Sequence, residues 1–339
     1  MRRSGPAQAG GLGALLLGAA LCLAGPLAYG EDATGGPAAK REDRSPVEWL
    51  RSIRSAAQRA NYVGTIVYQR GDDVRSSHIV HFFDGATPRE RVLTLDGRAR
   101  EFIRNGDQVQ CLYPKQRRVV VEQALPRTSF PALGQVGLSR VLEHYELTAG
   151  DIERVAGTDC RVLRLVPRDA LRYGYKLWVE PGSGLLLKVQ VLDEEAVIEQ
   201  VAFTDVRIGD PIDAAELKPS WSTAGWEVVR HPSHQVELSR QGWVITAPEG
   251  FHMLTEIERN LGDDSSQAAM QAVYSDGLAT VSVFIEPGAA LADPAPMQHH
   301  GPSSAFMRRV GDARVTVVGE VPPATARSIA DSVRFVTGH

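Results

Sequence analysis

Between Tyr173 and Val191 the chain alternates apolar and polar side chains twice over. Tyr173, Tyr175, Leu177 and Val179 oppose Gly174, Lys176, Trp178 and Glu180, which is the period of a half-buried strand. Leu185, Leu187, Val189 and Val191 repeat the pattern against Leu186, Lys188 and Gln190, and Pro181-Gly182-Ser183-Gly184 between the arms is turn chemistry. The stretch predicts a β-hairpin. Aligning its two apolar sides requires an odd-length loop, Glu180 to Gly184, which sets Val179 against Leu185 and Tyr175 against Val189. A one-sided antiparallel sheet follows, and whatever covers its apolar face governs what the protein does.

Upstream, Ser45, Pro46 and Glu48 spell a capping box that opens a helix to about Ala60, with Trp49, Leu50, Ile53, Ala57 and Ala60 as its apolar stripe. Strands are predicted at Tyr62 to Gln69, Val74 to Phe82, Arg89 to Leu95, Arg98 to Arg104, Gln108 to Tyr113 and Arg117 to Val121. The turns Gly71-Asp72-Asp73, Asp96-Gly97 and Asn105-Gly106-Asp107 join them as hairpins. Glu122 to Thr148 reads as loop and helix, with Pro126, Pro131 and Gly134 before Leu138, Val141, Leu142 and Tyr145 at helical spacing. This insert is placed to cover the sheet. Strands resume at Asp151 to Val155, Cys160 to Val166, the hairpin, and Ala196 to Arg207.

Residues 209–225, with Pro211 and Pro219, read as a linker between a domain at 45–208 and another at 226–339. The second has strand candidates at Trp226 to Arg230, Val236 to Leu238, Gly242 to Thr246, Ala268 to Ser275, Thr280 to Glu286 and Val315 to Glu320. A terminal helix carries Ala326, Ile329, Ala330 and Val333. The fold class expected is mainly β with α+β features.

At the N-terminus, Met1-Arg2-Arg3, the apolar run Leu12 to Leu23 and Ala28-Tyr29-Gly30 form a cleavable signal peptide over residues 1–30, followed by a disordered leader over 31–44. Export to the periplasm is the expectation. No later stretch approaches the ~20 apolar residues of a transmembrane helix. With 37 basic and 41 acidic residues the chain carries a net charge of -4, and losing Arg2 and Arg3 makes it more acidic, which argues against nucleic acid as partner. Cys111 and Cys160 are the remaining cysteines in strand-like segments. An oxidising compartment permits one disulfide between them, or two buried thiols.

Catalytic chemistry is hard to find. There is no Gly-x-Ser-x-Gly elbow, no His-Glu-x-x-His, no P-loop and no Cys-x-x-Cys in the mature chain. His78 and His81 fall on opposite faces of one strand and read as surface residues, and His299-His300 reads as part of a solvated loop. His231-Pro232-Ser233-His234 lacks the spatial evidence a triad needs. No catalytic residue, cofactor or metal is assigned. Arg98, Arg100 and Arg104, with Lys115, Arg117 and Arg118, come from consecutive strands and suit phosphate or carboxylate groups. A plain solvated strand face is the alternative. Tyr68 and Leu177 are candidates to line an apolar groove, although ordinary core explains such residues too. Trp178, on the opposite parity beside Lys176 and Lys188, is a candidate partner contact.

Three blocks carry a resemblance to a known family: Arg172 to Trp178 (RYGYKLW), Tyr274 to Leu278 (YSDGL) and Val318 to Ala326 (VGEVPPATA). With their order and spacing from about Pro46 to Phe335, the chain resembles the MucB/RseB periplasmic regulators of an envelope-stress sigma factor. The resemblance implies a first domain similar to the lipoprotein carrier LolA, an open antiparallel half-barrel covered by helices, and a smaller α+β second domain. It implies as partner the periplasmic part of a membrane-anchored anti-sigma factor of the RseA/MucA type, shielded from site-1 proteolysis. It further implies release by lipopolysaccharide or acyl chains. Exposed sheet edges allow a homodimer. A lipid or lipoprotein carrier is the alternative reading, and an enzyme stands a distant third.

Overall fold

Ser45 caps the first helix as its sequence requires: its hydroxyl accepts from the Glu48 amide at 3.3 Å, and the Glu48 carboxylate accepts from the Ser45 amide at 2.7 Å. The computed structural model describes residues 44–123, 137–260, 268–288 and 298–336. The predicted signal peptide, nearly all of the predicted leader, and Pro126, Pro131 and Gly134 lie outside these. Helix α1 (Pro46–Arg59) buries Trp49, Leu50, Ile53, Ala56 and Ala57.

Among the described residues a twelve-stranded sheet begins with β1 (Tyr62–Arg70), β2 (Asp73–Phe83), β3 (Pro88–Thr94), β4 (Glu101–Asn105), β5 (Gln108–Tyr113) and β6 (Arg118–Gln123). Helix α2 (Leu138–His144) intervenes. The sheet resumes with β7 (Tyr145–Val155), β8 (Thr158–Pro167), β9 (Gly174–Val179), β10 (Leu186–Asp193), β11 (Ala196–Ile208) and β12 (Glu227–His231). Its order is β12-β6-β5-β4-β3-β2-β1-β11-β10-β9-β8-β7, so pairing of β1 with β11 joins two meanders. All its pairs are antiparallel except β12 with β6.

A seven-stranded sheet follows, formed by β13 (Ser233–Gln235), β15 (His252–Asn260), β16 (Ala268–Ser275), β17 (Thr280–Glu286), β18 (Gln298–His300), β19 (Ser303–Val310) and β20 (Ala313–Gly319). Helix α3 (Pro323–Ser332) packs on it: Ala326, Ile329 and Ala330 share a core with Val281, Val283, Val315 and Val317. A separate pair is made by β14 (Trp243–Val244) and β21 (Arg334–Phe335). The architecture is the mainly β fold with α+β features that the pattern predicts.

The predicted hairpin forms in a different register. The Glu180 amide donates to the Leu185 carbonyl at 2.8 Å and Val179 opposes Leu186, which leaves an even loop of Pro181 to Gly184. Leu187 is then an extra residue, so Lys188 opposes Trp178, Val189 opposes Leu177 and Val191 opposes Tyr175. A bulge, in place of an odd loop, returns the two arms to a common face. Its cause is visible in burial, because Leu185, Leu186 and Leu187 all leave solvent.

Other boundaries moved for similar reasons. The strand predicted from Arg98 starts at Glu101, the helix predicted to include Tyr145 ends at His144, and Leu238 opens a 3-10 turn to Gln241. Strand β12, assigned by pattern to the second domain, lies instead on the edge of the first sheet. The predicted linker is also no loose tether. Arg91 Nη1 donates to the Glu216 carbonyl at 3.1 Å, and the Ser220 amide donates to the fully buried Glu101 carboxylate at 3.0 Å. Residues 213–220 are thereby strapped to β3 and β4.

Cys111 on β5 and Cys160 on β8 are both free, with seven strands between them in the sheet order, which corrects the disulfide considered above. Burial pushes the Cys160 thiol up to about 12 and raises that of Cys111. Both thiols are therefore expected to resist alkylation in the native state and to react fully in denaturant. Intact mass after each treatment checks this; a native chain lacking two hydrogens would contradict it.

Candidate functional site

Directly opposed residues of neighbouring antiparallel strands share a face, so the register maps each candidate. One row runs Leu163, Leu177, Val189, Val201, Tyr68 across β8, β9, β10, β11 and β1. A second runs Gly64, Ile79, Val92, Phe102, Cys111, Val120 across β1 to β6. A third places Arg104 in line with Tyr62, His81, Glu90 and Val109. Tyr62, Gly64 and Tyr68 alternate on β1, so all three rows lie on one face.

Helix α1 covers part of that face, packing Leu50 and Ile53 with Leu177 and Ala56 with Tyr62 and Ile79. Leu177 is 0% exposed and belongs to this core, which removes it from any open groove. Towards β3 to β6 the face changes character: Val92, Phe102, Cys111, Tyr113 and Val120 are only half-buried. The arginines border this part. Arg100 is exposed and lays its guanidinium 5.0 Å from the centre of the Tyr113 ring; Arg104 donates to the Gly106 carbonyl at 2.9 Å. Arg98 sits in the preceding turn, and Arg118 is engaged with Glu227 at 2.9 Å. Arg100 and Arg104 thus flank an apolar surface, which their spacing in the sequence alone did not decide.

Trp178 is not available to a partner. It is 2% exposed, its indole nitrogen donates to Glu153 Oε2 at 2.8 Å, and Lys176 and Lys188 stand 4.7 Å and 4.4 Å from its ring centre. Two lysine stems roof the ring, so opposite parity marks a covered outer core rather than a free contact. His81 also departs from its surface reading: it is fully buried, stacked on Tyr62 at 5.1 Å, with Nδ1 2.8 Å from the Ala60 carbonyl. Ser233 donates to Gln123 at 3.1 Å rather than to a neighbouring histidine.

Tyr68 leads to a second feature that the pattern reading missed, the junction between the two large sheets. There the three family-like blocks converge. Arg172 and Asp276 are completely buried and paired, Nη1 to Oδ2, at 3.4 Å; Arg172 also holds Asp169 at 2.9 Å and the Glu249 carbonyl at 2.7 Å. Asp276 accepts from Tyr145 Oη at 2.8 Å, and from the amides of Leu278 at 2.9 Å and Ala279 at 2.8 Å. Thr325, from the third block, donates to the Leu171 carbonyl at 2.8 Å. Leu278 itself inserts into the core around Leu177. Burial, then the Asp276 charge, raises the Tyr145 hydroxyl well above its ordinary value, so it stays a neutral donor. An Arg followed by Tyr-Gly-Tyr, and an Asp-Gly turn far downstream, were the available signals. Their pairing is invisible to local periodicity.

Beside Arg172, a cavity of about 450 Å³ is lined by Arg164, Arg168, Asp169, Glu194, Glu195 and Pro322 among others. Its mixed charge suits polar groups more than hydrocarbon.

Comparison with known proteins agrees with both halves. Residues 45–221 match the MucB/RseB N-terminal domain and residues 237–334 match the MucB/RseB C-terminal domain. The sigma factor AlgU regulatory protein MucB of Pseudomonas aeruginosa is 31% identical over 307 residues, covering 88% of this chain and 93% of that protein. The sigma-E factor regulatory protein RseB of Salmonella typhimurium is 29% identical over 297 residues, covering 84% and 89%. A crystal structure of MucB in complex with MucA(peri) aligns with a TM-score of 0.66 at 28% identity, over 87% of this chain and 100% of that one. MucB alone gives 0.64 at 28% identity, over 85% and 97%. With both of its halves matched in order, the chain belongs to the MucB/RseB family.

Proposed function

We propose that this protein is a periplasmic regulator that binds the periplasmic part of a membrane-anchored anti-sigma factor and shields it from site-1 proteolysis. The observation that carries this reading is the match along both sheets to proteins named as sigma-factor regulators, one of them solved with MucA(peri). Among the described residues no helix is long and apolar enough to cross a membrane.

The signal that releases the partner is an amphiphile such as lipopolysaccharide. Its acyl part meets Phe102, Cys111 and Val120, and its phosphates meet Arg100 and Arg104, with Arg98 nearby. What supports this is the half-buried apolar strip bordered by guanidinium groups on one face. A ligand releases the partner only through unequal affinity for the free and bound states.

Calorimetry tests both parts together. The mature chain is expected to bind the periplasmic segment of its cognate anti-sigma factor, and lipopolysaccharide fragments are expected to weaken that binding. Binding of the fragments with no binding of the segment would favour the carrier reading.

A further inference from the structure

The cavity beside Arg172 has no part in the function proposed above. Its buried floor includes Leu165, Gly174 and Leu192, and its volume of about 450 Å³ falls within the ~300–1,000 Å³ of small-molecule sites. Gly174 lies on the side of β9 away from Leu177, because successive strand residues alternate faces. It opposes Leu192 on β10, and a Cβ there would stand 3.5 Å from Leu192 Cβ and 3.5 Å from Pro167 Cδ. The φ of Gly174 is not positive, so the backbone itself does not call for glycine. A glycine inside a strand leaves room for another molecule to come close to the chain.

Charges stand on the rim, from two separate segments of chain. In the turn from β10 to β11, Glu195 is tied to Arg164, whereas Asp193 and Glu194 enter no ion pair among the described residues. In the loop after β8, Arg172 holds Asp169 and Asp276, whereas Arg168 is exposed and enters no ion pair among the described residues. One cation and two anions around a single void are therefore left without a partner. None of the residues lining the cavity is aromatic. Quaternary ammonium groups are recognised by aromatic rings, while a primary ammonium donates directly to carboxylates.

We infer that this cavity binds an ammonium–phosphate zwitterion of the phosphoethanolamine type, with its phosphate on Arg168 and its primary ammonium on Asp193 and Glu194. A guanidinium meets two phosphate oxygens at once, and an ammonium brings three donors to the facing carboxylates. Either group alone fits less well. A bare phosphate would be repelled by Asp193 and Glu194, and a bare amine would leave Arg168 unanswered. The same chemistry occurs in a phospholipid headgroup and in the soluble diester released from one. The site is separate from the Phe102 face, and it stands or falls independently of the anti-sigma partner.

Calorimetry of the mature chain with glycerophosphoethanolamine tests this, beside glycerophosphocholine, glycerol phosphate and ethanolamine. The first is expected to bind, and the other three to bind roughly tenfold more weakly or not at all. Arg168→Gln and Asp193→Asn are each expected to weaken binding roughly tenfold or more. Both side chains are exposed, so thermal unfolding of the free variants should match the parent. Amide shifts caused by the diester are expected in 166–170 and 192–196. Vesicles separate the two sources. Sedimentation with vesicles of phosphatidylethanolamine and phosphatidylcholine, but not of phosphatidylcholine alone, would identify a lipid headgroup as the ligand; binding of the diester without sedimentation would identify the soluble form. The proposal is overturned if the diester does not bind, if the choline analogue binds equally well, if either variant keeps the parent's affinity, or if the shifted amides lie elsewhere.

Discussion

Replacing Arg172 with methionine is expected to destabilise the folded chain by about 3–5 kcal/mol, the range for removing one partner of a buried ion pair. The reason lies in what remains. Asp276 is 0% exposed in its side chain, and without the guanidinium its carboxylate keeps, among the described residues, Tyr145 Oη and the amides of Leu278 and Ala279. Those donors orient the group without neutralising it. The Glu249 carbonyl loses its donor as well, and the cationic group over the Phe251 ring at 5.2 Å disappears.

The paired variant Arg172→Met with Asp276→Asn separates the interaction from mere size. It removes both charges while keeping volume, so much of the loss should return. Denaturant titration of the parent, both single variants and the double variant gives the coupling. A loss below about 1 kcal/mol in Arg172→Met would mean that the pair is dispensable to the fold.

How far the sequence reveals this protein differs between its parts. The capping box at Ser45, strands β16 and β17, and the shared apolar side of the hairpin were all legible, because each rests on spacing within a few residues. The register of that hairpin was not. Leu187 reads as the next member of an alternation, and only burial of three successive leucines reveals a bulge. Strands β15 and β19 escaped because HMLTEIERN and SSAFMRRV carry too few apolar residues at a regular interval. For the site, sharing of a face by Tyr68 with Phe102 and Arg104 depends on pairings across four strands, β1 to β4, which a linear pattern does not encode. Trp178 misled for a plainer reason, since lysine stems bury an aromatic ring as well as leucines do. The junction was present only as three unexplained blocks, and their meeting at Arg172, Asp276 and Thr325 supplies the missing physical account.

Leu177→Ala and Phe102→Ala are expected to fail in opposite ways, and the contrast decides where an acyl chain can sit. Leu177 is wholly enclosed by α1, Leu163, Leu165 and Leu278, so truncating it opens a cavity and is expected to cost about 2–5 kcal/mol of stability. Any ligand that binds the folded variant should do so with parental affinity. Phe102 is half-buried on the same face, between Val92 and Cys111 and beside Arg100 and Arg104, and is not a member of the buried cores that α1 residues join. Truncating it removes less buried surface, so stability should fall less, while affinity for a lipopolysaccharide fragment should drop about tenfold, the equivalent of about 1.4 kcal/mol. Thermal unfolding and calorimetry on the same preparations read the two effects independently. Weakened ligand binding in Leu177→Ala with Phe102→Ala unaffected would move the acyl site under the helix, which requires α1 to lift from the sheet. That exposes Trp49, Leu50 and Ile53 to water along with the ligand's seat, at a cost of several kcal/mol by area, so a ligand entering there must first displace part of the core. Phe102, Cys111 and Val120 are half-buried where Leu177 is enclosed, and that difference is why the two variants should part.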